Sequence, residues 1–311
     1  MLRYILTRLG QSLLTVYLTI SAVFVLIRMA PGDPAYAMAG PLASQADLDA
    51  VRHTMGLDQP LSAQYLLFLR HVVVGNLGQS YSYHQDAFSV VLSVLPNTVL
   101  LAVAAMLVAT IVSIPLGVWM ARRSDTPREL SVNVLTIAGQ SMPDFWIGIM
   151  LLTLFAVVVP IFPAAGFTSW SGLALPAATV AILQIALISR MVRGEMQRNL
   201  AAPYMTVARS RGLASHTLTW GYALRNSSIP VLTTIGTRFA SMLNGVVVVE
   251  VVFAWPGIGS LIVRALDTRD YPLIEATVLV TSIFAVVVQL LIDLCYPLLD
   301  PRVRVGRRAS L

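Results

Sequence analysis

The chain contains no lysine: all 21 of its basic residues are arginine. An absence spread over the whole sequence reads as codon bias, because no single site explains it. Charge of either sign is sparse, at 12% of 311 residues. With 57% hydrophobic residues and a mean hydropathy of +0.76, this excludes an ordinary soluble domain and describes a membrane protein. The lone cysteine, Cys295, lies in an apolar run, which excludes an intrachain disulfide and a thiolate metal cluster. His53, His71, His84 and His216 show no metal-ligand spacing and lie outside the apolar stretches. No G-x-x-x-x-G-K-[ST] phosphate loop is present, so the chain does not supply ATP chemistry itself. Neither a G-x-S-x-G serine nor an H-E-x-x-H zinc site occurs, which disfavours a membrane-embedded enzyme. No internal repeat is evident, which disfavours an inverted-repeat, ion-coupled carrier.

What is present is a series of long apolar runs. Leu9–Ile27 is free of charge, and at about 1.5 Å per residue it can cross a hydrocarbon layer about 30 Å thick. It is too long for the apolar part of a cleaved secretory signal, so an uncleaved first span is expected. Further spans are expected at Thr98–Ala121, at Leu130–Val159 with a break at Pro143 and Asp144, and at Leu173–Ser189. Ile229–Phe253 is the fifth, and Ala276–Tyr296 the sixth. The fold class expected is therefore all-α integral membrane, with six transmembrane helices.

Six spans place both termini on one side, and the arginines say which. Fifteen lie in the N-terminus, the 122–128 loop, the 190–225 loop and the tail, against five on the opposite face (Arg28, Arg52, Arg70, Arg264 and Arg269). Positive charge marks the cytoplasmic side, so both termini and the 194–228 loop are expected there. The net charge of +6 is thus topology, and no nucleic-acid partner is implied.

The segment 31–96 differs in character. Ser44 and Asp47 are spaced as a capping box, with Leu48, Val51 and Met55 following at helical intervals and Gly56 as a stop. A second amphipathic run, Leu61, Tyr65, Phe68, Leu69 and Val72, ends at Gly75. This predicts a small extracytoplasmic helical segment, either a docking surface or packing over the bundle.

The cytoplasmic loop 194–228 is longer than a turn requires. Pro203 suits the first turn of a helix, Tyr204, Val207, Ala208 and Arg211 would share one face, and Gly212 would end it. Ser215 can cap a second short helix running through Leu218 and Tyr222. Small side chains at Ala208 and Gly212 would let another backbone approach closely. Arg209 and Arg211 would face acidic groups or lipid phosphates. Pattern alone leaves two readings open: an amphipathic pair lying on the headgroups, or a handle gripped by a partner.

The residues Ala208, Arg209, Gly212, Leu213, Arg225, Asn226, Ile229 and Pro230 spell A-R-x-x-G-L followed by R-N-x-x-I-P. This resembles the coupling-loop motif of bacterial ABC-importer permeases, closest to the dipeptide, oligopeptide and nickel branch. The likeness extends in order through APGDP (Ala30–Pro34), GLDQP (Gly56–Pro60), GNLGQS (Gly75–Ser80) and the Pro143-Asp144-Phe145-Trp146 kink. It continues in EVVFAWPGIG (Glu250–Gly259), Arg269-Asp270-Tyr271-Pro272 and LLDPRVR (Leu298–Arg304). One departure is that the general motif opens with Glu-Ala-Ala, where this chain has Thr206, Val207 and Ala208. Many members of this branch lack the glutamate, so the departure bears on which loop residue carries the contact and not on coupling itself.

The resemblance implies a multi-pass protein of the bacterial inner membrane. It implies a pairing with a second, homologous permease subunit around a shared path. Two ATP-binding subunits that hold ATP and Mg²⁺, and an extracytoplasmic substrate-binding protein, would complete the assembly; no cofactor is expected in this chain. Val207, Ala208, Arg209, Arg211, Gly212 and Leu213 would contact the ATPases. The solute would be a dipeptide or oligopeptide, with nickel chelate, glutathione and haem as alternatives within the family. The implied division is a first span (1–30), the outer segment (31–96), the permease domain (97–297) and a cytoplasmic tail (298–311).

Charges inside spans are costly, about 2.5–3.5 kcal/mol near the bilayer centre on insertion scales, so each is expected to face protein or water. Asp144, beside the Pro143 break, is the first candidate for lining the path, against a local backbone cap. Trp146 accompanies it. Arg238 could pair with an acid of the partner or reach toward the interface, and Glu250 could gate the outer mouth. Asp293, near the cytoplasmic edge, reads as a structural anchor.

Overall fold

Apolar runs without turn signals set the helix lengths here, and proline and glycine set the breaks. A computed structural model describes residues 2–29, 35, 39, 43–54, 56–167 and 169–299. The described helices are α1 (Leu2–Met29), α2 (Gln45–Thr54), α3 (Leu61–Val74), α4 (Ala87–Arg122), α5 (Pro127–Ser141) and α6 (Asp144–Leu152). They continue with α7 (Ala174–Leu200), α8 (Pro203–Ser210), α9 (Leu224–Val252), α10 (Ile258–Asp267) and α11 (Tyr271–Leu299). Thr153–Val158 and Thr217–Ala223 are π-helical, and Trp170–Leu173 is a short 3₁₀ turn. No strand occurs among the described residues, and the protein is an all-α integral membrane protein.

Among the described residues, four stretches are long and apolar enough to cross a membrane alone: Leu9–Met29, Ala87–Arg122, Trp170–Leu200 and Tyr271–Ile292. The count reaches six only if two bent pairs are each one span. One pair is Pro127–Ser141 with Asp144–Val158, bent by 103°. Its break follows from Pro143. The residue before a proline is pushed out of the helical region, and Met142 lies at φ −89°, ψ 135°. Each half has about 15 residues, hence a length near 22 Å, and neither crosses alone. The stretch expected as a third span is thus an elbow. The other pair, Thr217–Met242 with Gly245–Val252, bends by 57°.

Contacts divide the chain into two units, 1–98 with 256–288 and 99–255 with 289–311. In the first, the predicted caps form. The Ser44 N–H donates to Asp47 Oδ2 at 3.0 Å, and the Asp47 N–H donates to Ser44 Oγ at 3.2 Å. The Ser44 hydroxyl and N–H hold the Asp47 carboxyl below the usual carboxylate range. Gly75, at φ 76°, ends α3 by donating to His71 and Val72 carbonyls. Phe24 of α1 packs against Tyr65 and Phe68 of α3, with ring centroids 5.1 and 5.2 Å apart. Two motifs distant in sequence meet at Asp270, which is fully buried. Its carboxylate accepts from Ser80 Oγ at 2.6 Å, the Ser82 N–H at 3.0 Å and the Leu273 N–H at 3.2 Å. Three donors stabilise a buried charge that would otherwise be costly to desolvate. APGDP, by contrast, lies outside the described residues.

The second unit is organised around α7, whose Ile188, Ser189, Val192 and Met196 are buried. Glycines let neighbours approach it. A Cβ on Gly117 of α4 would lie 2.6 Å from the Ser189 carbonyl oxygen and 2.6 Å from Val192 Cβ. At Gly148 of α6, a Cβ would lie 3.2 Å from the Phe253 ring and 3.4 Å from Thr179. Backbone cannot retreat as a flexible side chain can, so these two positions differ in tolerance. Gly117→Ala should destabilise the protein by about 1–3 kcal/mol. Gly148→Ala should cost less. Thermal unfolding of the detergent-purified variants checks this ordering, and an unchanged midpoint for Gly117→Ala would contradict the packing.

Candidate functional site

The polar interruption late in the chain begins later than its composition suggests. Arg193 to Leu200 contains no breaker beyond Gly194, and α7 runs unbroken through it to Leu200. The handle proper is 201–214. Ala202 is extended at φ −69°, ψ 147°, as a residue before proline should be, and Pro203 opens α8 at its first turn. Gly212, at φ 76°, closes α8. The Gly212 N–H donates to Arg209 O at 2.9 Å and the Leu213 N–H to Ala208 O at 3.4 Å, the paired bonds of a Schellman stop.

The expected second short helix is instead the foot of a long one. The Leu218 N–H bonds Ala214 O at 3.0 Å, so Ala214 occupies the cap and Ser215 is already helical. From there the π-helical stretch Thr217–Ala223 runs without interruption into α9. Rather than capping, the Ser215 hydroxyl accepts from Arg122 Nη2 of α4 at 3.3 Å.

Side-chain bonds pin α8 to the feet of two helices. Tyr204 OH donates to Asn199 Oδ1 at 2.8 Å, and Asn199 Nδ2 donates to Ser227 Oγ at 3.0 Å. Ser227 is fully buried and donates to Ala223 O at 2.8 Å. Arg209 Nη2 reaches Leu200 O at 3.4 Å. Met205 and Ala208, three residues apart, turn inward at 0% and 7% exposure. Val207, at 53%, and Arg209, Arg211 and Gly212 are exposed, while Leu213 is half-buried. Ala208, expected to let a partner approach closely, is covered by the chain itself. Nothing lies within 4 Å of a Cβ built on Gly212, so its role is conformational. The anchors Asn199, Met205 and Ser227 escaped sequence reasoning; the i, i+3 spacing of Met205 and Ala208 was the available signal.

The same end of the unit carries further ties. Thr126 caps α5 by accepting from the Glu129 N–H at 3.3 Å. The buried Glu129 carboxylate pairs with Arg193 Nε of α7 at 2.8 Å. At the far end of α5, Arg190 Nη1 donates to Gln140 Oε1 at 2.9 Å. Arginines thus tie α4 to the foot of α9, and α7 to both ends of α5.

The intramembrane candidates fall in different surroundings. Asp144 opens α6 at the elbow and is half-buried, in a first turn whose free N–H groups favour a carboxylate. Trp146 is 43% exposed beside it. Arg238, on α9, is half-buried. Glu250 is fully buried next to Trp255, whose N–H donates to Glu250 O at 2.8 Å. It is therefore not on an open wall in this conformation. The Asp293 side chain lies outside the described residues.

Comparison with known proteins follows the whole chain. The profile of the binding-protein-dependent transport system inner membrane component matches residues 113–305, and that of its N-terminal region matches residues 1–102. A probable peptide ABC transporter permease of Sinorhizobium fredii is 36% identical over 309 residues, covering 97% of this chain and 99% of the relative. A dipeptide transport system permease of Lactococcus lactis subsp. cremoris is 33% identical over 305 residues, covering 98% and 100%. A glutathione transport system permease of Salmonella typhimurium is 34% identical over 305 residues, covering 98% and 99%. An apolar helical chain with a pinned polar helix, matched from end to end, belongs to the binding-protein-dependent transport system inner membrane component family and is a permease subunit of an ABC importer.

Proposed function

We propose that this permease carries short peptides, or a peptide-like solute such as glutathione, and that α8 is the lever by which ATPases drive it. The relatives named above are permeases for peptides, dipeptides and glutathione, which supports the solute class. The observation that carries the coupling reading is the pinning of α8. It presents Val207, Arg209 and Arg211 outward while Tyr204, Asn199 and Ser227 tie it to α7 and α9. A surface helix resting on lipid needs no such ties, whereas a lever must transmit displacement to the helices that form the path. Two ATPase subunits hold ATP and Mg²⁺, and each receives the coupling helix of one permease. A second permease completes the path, and an extracytoplasmic binding protein delivers the solute on the side of α2 and α3. The fifteen-to-five arginine bias supports cytoplasmic termini and a cytoplasmic α8. ATP binding then biases a two-state equilibrium between outward- and inward-facing cavities.

Asp144 and Trp146 line the path at the elbow in this reading, the carboxylate facing the solute's amine. Arg238 and Glu250 act through packing.

Two outcomes are expected. Gly212→Val forces a β-branched residue into a left-handed position, at a cost of about 1–2 kcal/mol. It should distort the end of α8 and lower ATP-driven uptake or ATPase copurification, with the spans intact by circular dichroism. Normal uptake by that variant would place the grip elsewhere. Asp144→Ala should assemble with its partners yet lose uptake in proteoliposomes; wild-type uptake would remove Asp144 from the path.

A further inference from the structure

The first unit holds a cavity of about 380 Å³ that the coupling reading does not use. Its polar lining includes Arg28, Gln64, His71, Tyr81, His84 and Glu275. The volume lies near the lower end of the usual range for ligand cavities, about 300–1,000 Å³, which suits a small solute and not a folded segment. Motifs singled out in the sequence converge here: Leu77–Ser80 of GNLGQS and Tyr271 and Pro272 of the Arg269–Pro272 run line the cavity.

The charged part of the wall is a dipole. Arg28 closes α1 and Glu275 stands near the start of α11. Arg28 Nη1 meets Glu275 Oε1 at 2.9 Å, and Arg28 Nε donates to Gln64 Oε1 at 2.9 Å. The guanidinium also lies 3.5 Å from the centre of the Phe24 ring. Both charges are mostly buried, with side chains 16% and 10% exposed, and both border the cavity. A fixed, partly desolvated plus–minus pair attracts a second pair of opposite sense, because alternating charges reinforce one another and bring in no net charge. Tyr81 adds a donor. Burial, with the Asp270 and Glu275 carboxylates nearby, raises its hydroxyl far above the usual phenol range and keeps it protonated. Exposed His71 and His84 stand at the rim.

We infer that this cavity binds a small zwitterion, such as an amino acid or short peptide with free termini, with its ammonium on Glu275 and its carboxylate toward Arg28 and Tyr81. It is a holding site beside α2 and α3, built from residues other than those assigned to the path. A solute without charged ends gains nothing from the wall dipole and has to desolvate it, so it is rejected.

The test uses the assembled importer in nanodiscs, without its binding protein and without ATP. This separates it from the coupling reading, which uptake measures. Equilibrium dialysis with radiolabelled dialanine should show saturable binding, and doubly capped N-acetyl-dialanine amide should bind at least tenfold more weakly. Leu67 lines the cavity and is 47% exposed, so Leu67→Trp should reach into the cavity and weaken dialanine binding at least tenfold. Tyr81→Phe, which keeps the shape, should weaken it about tenfold by removing one hydrogen bond to a charged group. No saturable binding, equal binding of the capped analogue, or unchanged binding in Leu67→Trp would overturn the inference. If Leu67→Trp does not assemble, unchanged affinity in Tyr81→Phe overturns it.

Discussion

Hydrocarbon offers no hydrogen-bond partner, so every backbone N–H and C=O in an apolar stretch must be paired within the chain or lie against protein or water. Most of this chain obeys by running as uninterrupted helix, 36 residues long in α4. The exceptions are therefore informative. The Met142–Pro143 break leaves carbonyls at the end of α5 and N–H groups at the start of α6 without helical partners. An elbow of 103° inside an apolar segment is tolerable only where it faces a wet or protein-lined space. It carries Asp144 and Trp146, the polar and aromatic groups a path for a charged-ended solute would use.

The same constraint separates α8 from the spans. Its length, eight residues, is far short of a crossing, and its outward face bears arginines. Such a helix stands only if its ends are closed and its inner face is covered. Pro203 and Gly212 close the ends, Met205 and Ala208 fill the covered side, and the Tyr204–Asn199–Ser227 chain of bonds attaches it. What remains outside, Val207, Arg209 and Arg211, is what a partner can hold.

Local chemistry was legible in the sequence wherever one residue type decides a conformation. Proline at 143 and 203, glycine at 75 and 212, and the Ser44–Asp47 box each predicted the break or cap found there. Contacts between distant segments were not legible. Nothing local ties Ser80 to Asp270, 190 positions apart, or Arg28 to Glu275. The covered face of α8 was not legible because small and exposed look alike in a pattern, and only packing shows that Ala208 is turned in. The continuation of α7 through Arg193–Leu200 was hidden by polar residues that a helix tolerates once its other face is buried. The π-helical stretches carry no sequence signature of their own.

Direct contact between α8 and an ATPase is the central claim, and site-specific cross-linking tests it. With Cys295→Ser removing the one native thiol, Val207→Cys and Met205→Cys can be compared in the assembled importer with a thiol–amine reagent. Val207 is exposed and Met205 is fully buried on the opposite side of the same helix. Cross-links to the ATPase subunits from position 207, and not from position 205, are the predicted result. An active importer that yields no ATPase cross-link from position 207 would contradict the account.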